Sequence, residues 1–165
     1  MDGYGDANWV GCQATRKSTF GLALFLGKRC VRTSSSTQQT LALSVGESEF
    51  YSAVKTASVL LGLRTLCLDW GLDLAPRLHT NSGSARGICS RRGVGNVRHL
   101  HTQTLWIQGL VSRKSLTIVK CPGTKNPADL MTKVQPWPAI STMIARMGLV
   151  FSAGRASIAL NLQTQ

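Results

Sequence analysis

The run "FGLALFLGKRCVRTSS" (Phe20–Ser35) holds two stretches of strand-like apolar and β-branched positions, split at "LGKR", where Gly27 supplies the turn between two predicted strands. Ahead of it "YGDANWV" (Tyr4–Val10) is a third, so the chain opens as a three-stranded meander. From Ser44 to Trp70 the apolar spacing changes to three and four residues. Phe50, Val54, Ala57, Leu61 and Leu68, supported by Ala53 and Leu60, form one buried stripe on a long helix. Gly71 ends it as a C′ residue. Ser44 and Glu47 open it in the S-x-x-E capping-box relation, with the Glu47 carboxylate returning to the Ser44 amide. Glu47 therefore has a structural task, and Glu49, one position before Phe50, has none.

In "RLHTNSGSARGIC" (77–89) a short strand, Arg77–Thr80, runs through the turn Asn81-Ser82-Gly83 into a helix near 84–91 capped by Ser84. "HLHTQTLWIQGLVSR" (99–113) is a second helix of this half, with Leu100, Thr104, Ile107 and Val111 on one face, and Ser115–Cys121 is a fifth strand. Pro127 suits the first position of a last helix, which Pro136 and Pro138 interrupt; 139–165 has no assignment. The order β-β-β-α-β-α-α-β-α predicts an α/β domain: a five-stranded mixed sheet, antiparallel meander then parallel strands, with helices on both faces. Strand ends are where such folds place working polar groups, and Asn81, a neutral amide, stands at one.

The length of 165 residues suits one domain, and 43% hydrophobic against 16% charged residues is a globular balance. No apolar run reaches the roughly 18 residues of a membrane span, and the start "MDGYGDANW" has no signal-peptide pattern, which points to a cytoplasmic or nuclear, non-secreted setting without a membrane partner. The five cysteines are isolated and read as reduced structural thiols. His99 and His101 at i, i+2 point apart on a helix and make no zinc site. Charge changes the picture more. Nineteen Lys and Arg against seven Asp and Glu leave +12, a field that attracts a polyanion. Arg86, Arg91, Arg92 and Arg98 share one glycine-rich segment and are candidate phosphate contacts, beside the plainer reading of a solvated basic surface.

In a chain so poor in acids, three fall at element ends: Asp6, Glu49 and Asp129. A carboxylate in a first helical turn is favoured by the backbone dipole alone. Together on separate elements, the three read as a site for a hard cation, which takes oxygen ligands.

The segments "GDANWVG" (5–11), "TRKSTFGLALFLG" (15–27), "SSSTQQTLALSVGESEFYSA" (34–53), "TNSGSA" (80–85), "VRHL" (97–100) and "NPADLMTK" (126–133) carry a resemblance. The chain resembles the ribonuclease H domain at the C-terminal end of copia-type LTR retrotransposon Pol polyproteins, from residue 4 to about 133. The resemblance implies a ribonuclease H-like domain over 1–133 followed by an unassigned tail, 134–165. It implies an endonuclease that cuts the RNA strand of an RNA–DNA hybrid, with a reverse transcriptase domain in cis. It further implies four acidic positions around two Mg²⁺ ions, Mn²⁺ serving as a substitute. Matched by motif, those positions are Asp6, Glu49, Asn81 and Asp129. Where the family reads C-D-N-x-S-A this chain has Thr80-Asn81-Ser82-Gly83-Ser84-Ala85, so an aspartate is replaced by an amide without charge. Weaker metal binding at that corner implies a rate lower by roughly 10³-fold or more, at ~1.4 kcal/mol per decade. Asn8 likewise stands for the second aspartate of D-A-D, and His101 and Gln103 for an acid and a base. Activity is left open between an impaired endoribonuclease, a non-catalytic hybrid-binding domain and a nonfunctional retroelement remnant.

Overall fold

The computed structural model describes residues 1–95, 100 and 102–150. β1 (Asp2–Asn8), β2 (Thr19–Leu26) and β3 (Arg29–Thr37) form the predicted antiparallel meander. β4 (Arg77–Thr80) adds to β1 in parallel and β5 (Thr117–Lys120) adds to β4, giving the order β3-β2-β1-β4-β5. This is the mixed sheet read from the sequence, and with helices on both faces it is the ribonuclease H-like fold that the resemblance implies. β1 begins and ends two residues earlier than its predicted span, 4–10. Val10 has φ +56° and the Gly11 amide bonds Asn8 O, so the chain turns before it reaches Val10.

The long helix, α1 (Val45–Asp69), starts where Ser44 Oγ accepts the Glu47 amide at 3.1 Å. Glu47 Oε2 accepts the amide of Leu43 at 2.8 Å, one residue ahead of the expected Ser44. At the far end Gly71 at φ +76° lets its amide reach Leu68 O and that of Leu72 reach Cys67 O, a Schellman closure. The buried stripe differs from the predicted one. Phe50, Ala53, Ala57, Leu60 and Cys67 are buried with Ser52 and Thr56, whereas Leu68 is exposed and Leu61 half-buried. The cause lies in the strand beneath: a Cβ on Gly5 would stand 2.6 Å from Thr56 Oγ1, so α1 crosses β1 where neither element carries bulk.

α2 (Gly83–Ser90) is capped by Ser82, whose Oγ accepts the Ala85 amide at 3.1 Å, and not by Ser84. The helix expected over 99–113 is a 3₁₀ turn, Thr102–Leu105, followed by α3 (Trp106–Ser112). The last predicted helix is a single 3₁₀ turn, Pro127–Met131, and Pro136 and Pro138 start a new helix, α4 (Trp137–Arg146). A proline in the first turn lacks only an N–H that would have had no helical partner.

The main core packs Phe20, Leu22 and Leu24 of β2 against Phe50 and Leu60 of α1, with Leu78, Ile107 and Leu116. On the opposite sheet face, Ala23, Phe25 and Met147 are buried together, with Tyr4, Leu130 and Met143 packed on them, so α4 and the turn after it cover that side. All five cysteines are free. Among the described residues no helix is long and apolar enough to cross a membrane.

Candidate metal centre

Three elements bring the sequence-predicted acids toward the C-terminal end of β1. Asp6 is 2% exposed, and its Oδ2 accepts the Thr132 hydroxyl at 2.7 Å. Its partner across the ladder is Gly21, where a Cβ would lie 2.6 Å from Ala128 O. The 127–131 turn is thus seated on a strand position without a side chain, and this seat delivers Asp129 beside Asp6. Buried Asn126 fixes the turn's entry: its Nδ2 donates to Gly5 O at 3.1 Å and its Oδ1 accepts the Ala128 amide at 3.2 Å. Glu49 comes from the second turn of α1, not the first, and Ser52 in the same stretch of helix donates its Oγ hydroxyl to Asp6 O at 2.8 Å. It is 7% exposed, and its Oε2 is buried without a hydrogen-bond partner.

The acids perturb one another. Burial pushes the Asp6 carboxyl above the ordinary range, helped by the charge of Asp129 and opposed by the Thr132 hydroxyl. Burial, and then the charge of Asp6, push Glu49 up to about 8 against a bond from the Ala7 amide and the charge of Lys133. Lys133 Nζ stands 2.8 Å from Asp129 Oδ1, while Gln135 Nε2 donates to Asp129 Oδ2 at 3.1 Å. The Lys133–Asp129 bond, with the charges of Asp129, Asp6 and Glu49, raises the Lys133 ammonium above its usual value. Carboxyls pushed up by burial and by one another's charge mark a candidate functional site.

The donor set fits a hard divalent cation: it is all oxygen, mostly buried, and holds one carboxylate oxygen without a protein donor. It is not closed. Among the described residues no group of three or more His, Cys, Asp or Glu side chains is gathered tightly enough to hold a metal ion.

Asn81, the fourth position, is exposed at the end of β4. The β1–β4 ladder ends at the Tyr4–His79 pair, and Asn81 lies two residues past it, its Nδ2 3.5 Å from where a Cβ on Gly123 would stand. Asn8 Nδ2 reaches Thr132 O at 3.4 Å. Of the candidate phosphate contacts, Arg92 is exposed and Arg86 half-buried on α2, while Arg91 Nη2 is folded back onto Val94 O. Arg98 lies outside the described residues. Sequence reasoning gave no role to Thr132, Lys133, Asn126 or Gln135. Spacing held a signal for the first two: a hydroxyl and an ammonium three and four residues after Asp129 fall on its side of a helical turn.

No family model matches the chain. It is 30% identical over 139 residues, 82% of its length, to the retrovirus-related Pol polyprotein from transposon TNT 1-94 of Nicotiana tabacum. The chain belongs to the retrovirus-related transposon Pol family. Another relative is the Pol polyprotein from transposon RE2 of Arabidopsis thaliana, 24% identical over 91% of the chain. This Pol segment spans about a tenth of the length of those polyproteins, 10% in each case. Among solved structures, LC11-RNase H1 in complex with RNA/DNA hybrid aligns with 79% of this chain and 91% of its own at 15% identity and a TM-score of 0.48. RNase H1 from Halobacterium salinarum aligns over the same two shares at 13% identity and a TM-score of 0.43.

Proposed function

We propose that this Pol segment is a ribonuclease H-type domain acting on RNA–DNA hybrid, with hydrolysis impaired at Asn81. The observation that carries the reading is that Asp6 and Glu49 lie buried within reach of each other's charge and of Asp129's, with Glu49 Oε2 buried and without a hydrogen-bond partner. Asp6, Glu49 and Asp129 would hold Mg²⁺, or Mn²⁺ in its place, which supplies polarisation of the scissile phosphate and a water acidic enough to attack near neutral pH. Thr132 orients Asp6 through its hydroxyl, and the seat on Gly21 orients Asp129. Asn81 offers an amide oxygen where a fourth carboxylate would add charge, so the ligand set loses both attraction and positional control. Arg86 and Arg92 would meet phosphates, and hybrid affinity would then fall with salt. Met147, 1% exposed at the end of α4, packs into the second core with Ala23 and Phe25, which supports counting residues past 133 with the domain.

The test is cleavage of a labelled RNA–DNA hybrid in Mg²⁺ and in Mn²⁺ by the natural chain, Asn81→Asp and Asp6→Asn. Asn81→Asp is expected to cleave roughly 10³-fold faster than the natural chain, the few kcal/mol that metal stabilisation supplies. Equal rates overturn the impairment. If no version cleaves and the folded chain binds hybrid in a salt-dependent way, the non-catalytic binding reading takes its place. If it binds none, the remnant reading does.

A further inference from the structure

The phosphate contacts read from the sequence, Arg86 and Arg92, lie on and just after α2, on the side of the sheet that α1 covers. A second set of cations gathers on the opposite side, where α4 packs. Lys28 stands in the β2–β3 turn, Lys125 ends the 3₁₀ turn Gly123–Lys125, and Arg146 ends α4; all three are exposed. They line one cavity of about 300 Å³, floored by Phe25 and Met143. Asp2 is the one acid in that lining among the described residues, and Arg77 and His79 already hold its carboxylate. No ion pair among the described residues engages Lys28, Lys125 or Arg146. The cavity therefore has a cationic rim without a counter-charge.

Arg146 also joins this cavity to the candidate metal centre. Its Nη1 donates to Thr124 O at 3.0 Å, which holds the guanidinium against the 123–125 turn. With Met143 it lines a second cavity, of about 350 Å³, whose lining includes Thr124 and Asp129. The two hollows share these two residues of α4, so one surface runs from Asp129 past Arg146 to Lys125 and Lys28. Three like charges delivered by three separate elements repel one another, and a polyanion laid across them removes that repulsion.

We propose that Lys28, Lys125 and Arg146 form a second phosphate-binding surface, which takes the backbone of a nucleic-acid strand passing from the metal centre over α4. The segments that carry the family resemblance end at Lys133, so α4 and Arg146 lie outside them. The inference rests on the ribonuclease H-type reading for the identity of the polyanion, and on neither metal binding nor the defect at Asn81.

The test is equilibrium binding of a labelled RNA–DNA hybrid to the full chain in EDTA, where no version cleaves, over about 50 to 200 mM salt. Each phosphate neutralised adds roughly 0.9 to the slope of log affinity against log salt. Lys28→Gln/Lys125→Gln/Arg146→Gln is expected to lower that slope by roughly 2 to 3, so over this range the natural chain loses about 40-fold more affinity than the variant. A control with the same change in charge, Lys55→Gln/Arg113→Gln/Lys114→Gln, lines neither cavity and is expected to change the slope by less than about one. An unchanged slope in the triple variant, or an equal fall in the control, overturns the proposal, as does a natural chain that binds no hybrid. Arg86→Gln/Arg92→Gln measures the α2 side separately. If that pair lowers the slope and the α4 triple does not, the proposal falls and the hybrid-binding reading stands. If the α4 triple lowers it while no version cleaves in Mg²⁺ or Mn²⁺, the surface stands and the catalytic reading falls. Should the triple variant unfold at lower denaturant than the natural chain, Lys28→Gln and Lys125→Gln decide singly: each is exposed and is expected to lower the slope by about one.

Discussion

β1 carries an acid near each end, Asp2 and Asp6, and both are buried, at 8% and 2% exposure. Their surroundings are opposite. Asp2 is clasped by Arg77, with Nε 2.8 Å from Oδ1 and Nη2 2.8 Å from Oδ2, and by His79 Nε2 at 2.7 Å. The His79 ring in turn stacks on Tyr4 at 4.4 Å. Burial would raise the Asp2 carboxyl, but the bonds from Arg77 and His79 outweigh it and hold the group below its ordinary value. Asp6 has one hydroxyl donor and faces Asp129 and Glu49, and it is pushed the other way. Burial alone does not decide how a carboxylate is held; partnership does. One end of the strand is closed by Arg77 and His79 from β4, while at the other Asp6 meets one hydroxyl donor and two further acids.

The largest effect that would break the comparison comes from the closed end. Asp2→Ala leaves Arg77 and His79 without their acceptor and is expected to cost about 2 kcal/mol, below the usual 3–5 for a fully buried pair because the Arg77 side chain is 55% exposed. Chemical denaturation checks it, and a loss under half a kcal/mol would make the clasp ornamental. The pH dependence should have opposite signs at the two ends. A lowered Asp2 stabilises the fold above its unfolded pKa, and that contribution is lost as pH falls through the lower folded value. A raised Glu49 contributes stability that is complete below about 4.5 and is lost as pH rises toward about 8. At ~1.4 kcal/mol per unit, discounted for solvent relaxation, roughly 2 kcal/mol should disappear across that window in EDTA, and Glu49→Gln should flatten the curve. A wild-type curve without this decline would show that Glu49 ionises freely. The smallest effect is at the open end itself. Asp6→Asn keeps the Thr132 contact and removes a like charge, so stability in EDTA should stay within about 1 kcal/mol of the natural chain. A loss matching that of Asp2→Ala would erase the contrast.

Much of this was legible in the residues. The meander, its turn at Gly27, α1 with its two end signals, β4 and β5 all follow from periodicity and turn chemistry, because each is stabilised within its own stretch or by a strand partner of simple alternation. What escaped has long-range causes. Helical spacing runs the stripe of α1 through Leu61 and Leu68, because it does not contain Gly5, which decides which side of the helix can approach the sheet. The turn 127–131 was expected to be a helix since Pro127 and the residues after it suit one; Asn126, bonded to Gly5 O far away in the chain, sets its geometry. Pro136 and Pro138 look alike whether they end one helix or begin the next, and only the cover over Phe25 and Ala23 distinguishes the two. At the candidate site, the acids can be picked out because acids are scarce, while Thr132 and Lys133 have no role in the sequence beyond their place in "NPADLMTK", and their distances to Asp6 and Asp129 supply one.

The seat on Gly21 reaches beyond this molecule. A single methyl group there would meet the carbonyl of Ala128 and the side chains of Met131 and Thr132 within 3 Å, and the turn holding Asp129 would have to lift. A sister copy of the element could therefore keep every acid and still lose the geometry through one alanine on the neighbouring strand. Any census of which copies remain competent has to count a glycine alongside the carboxylates.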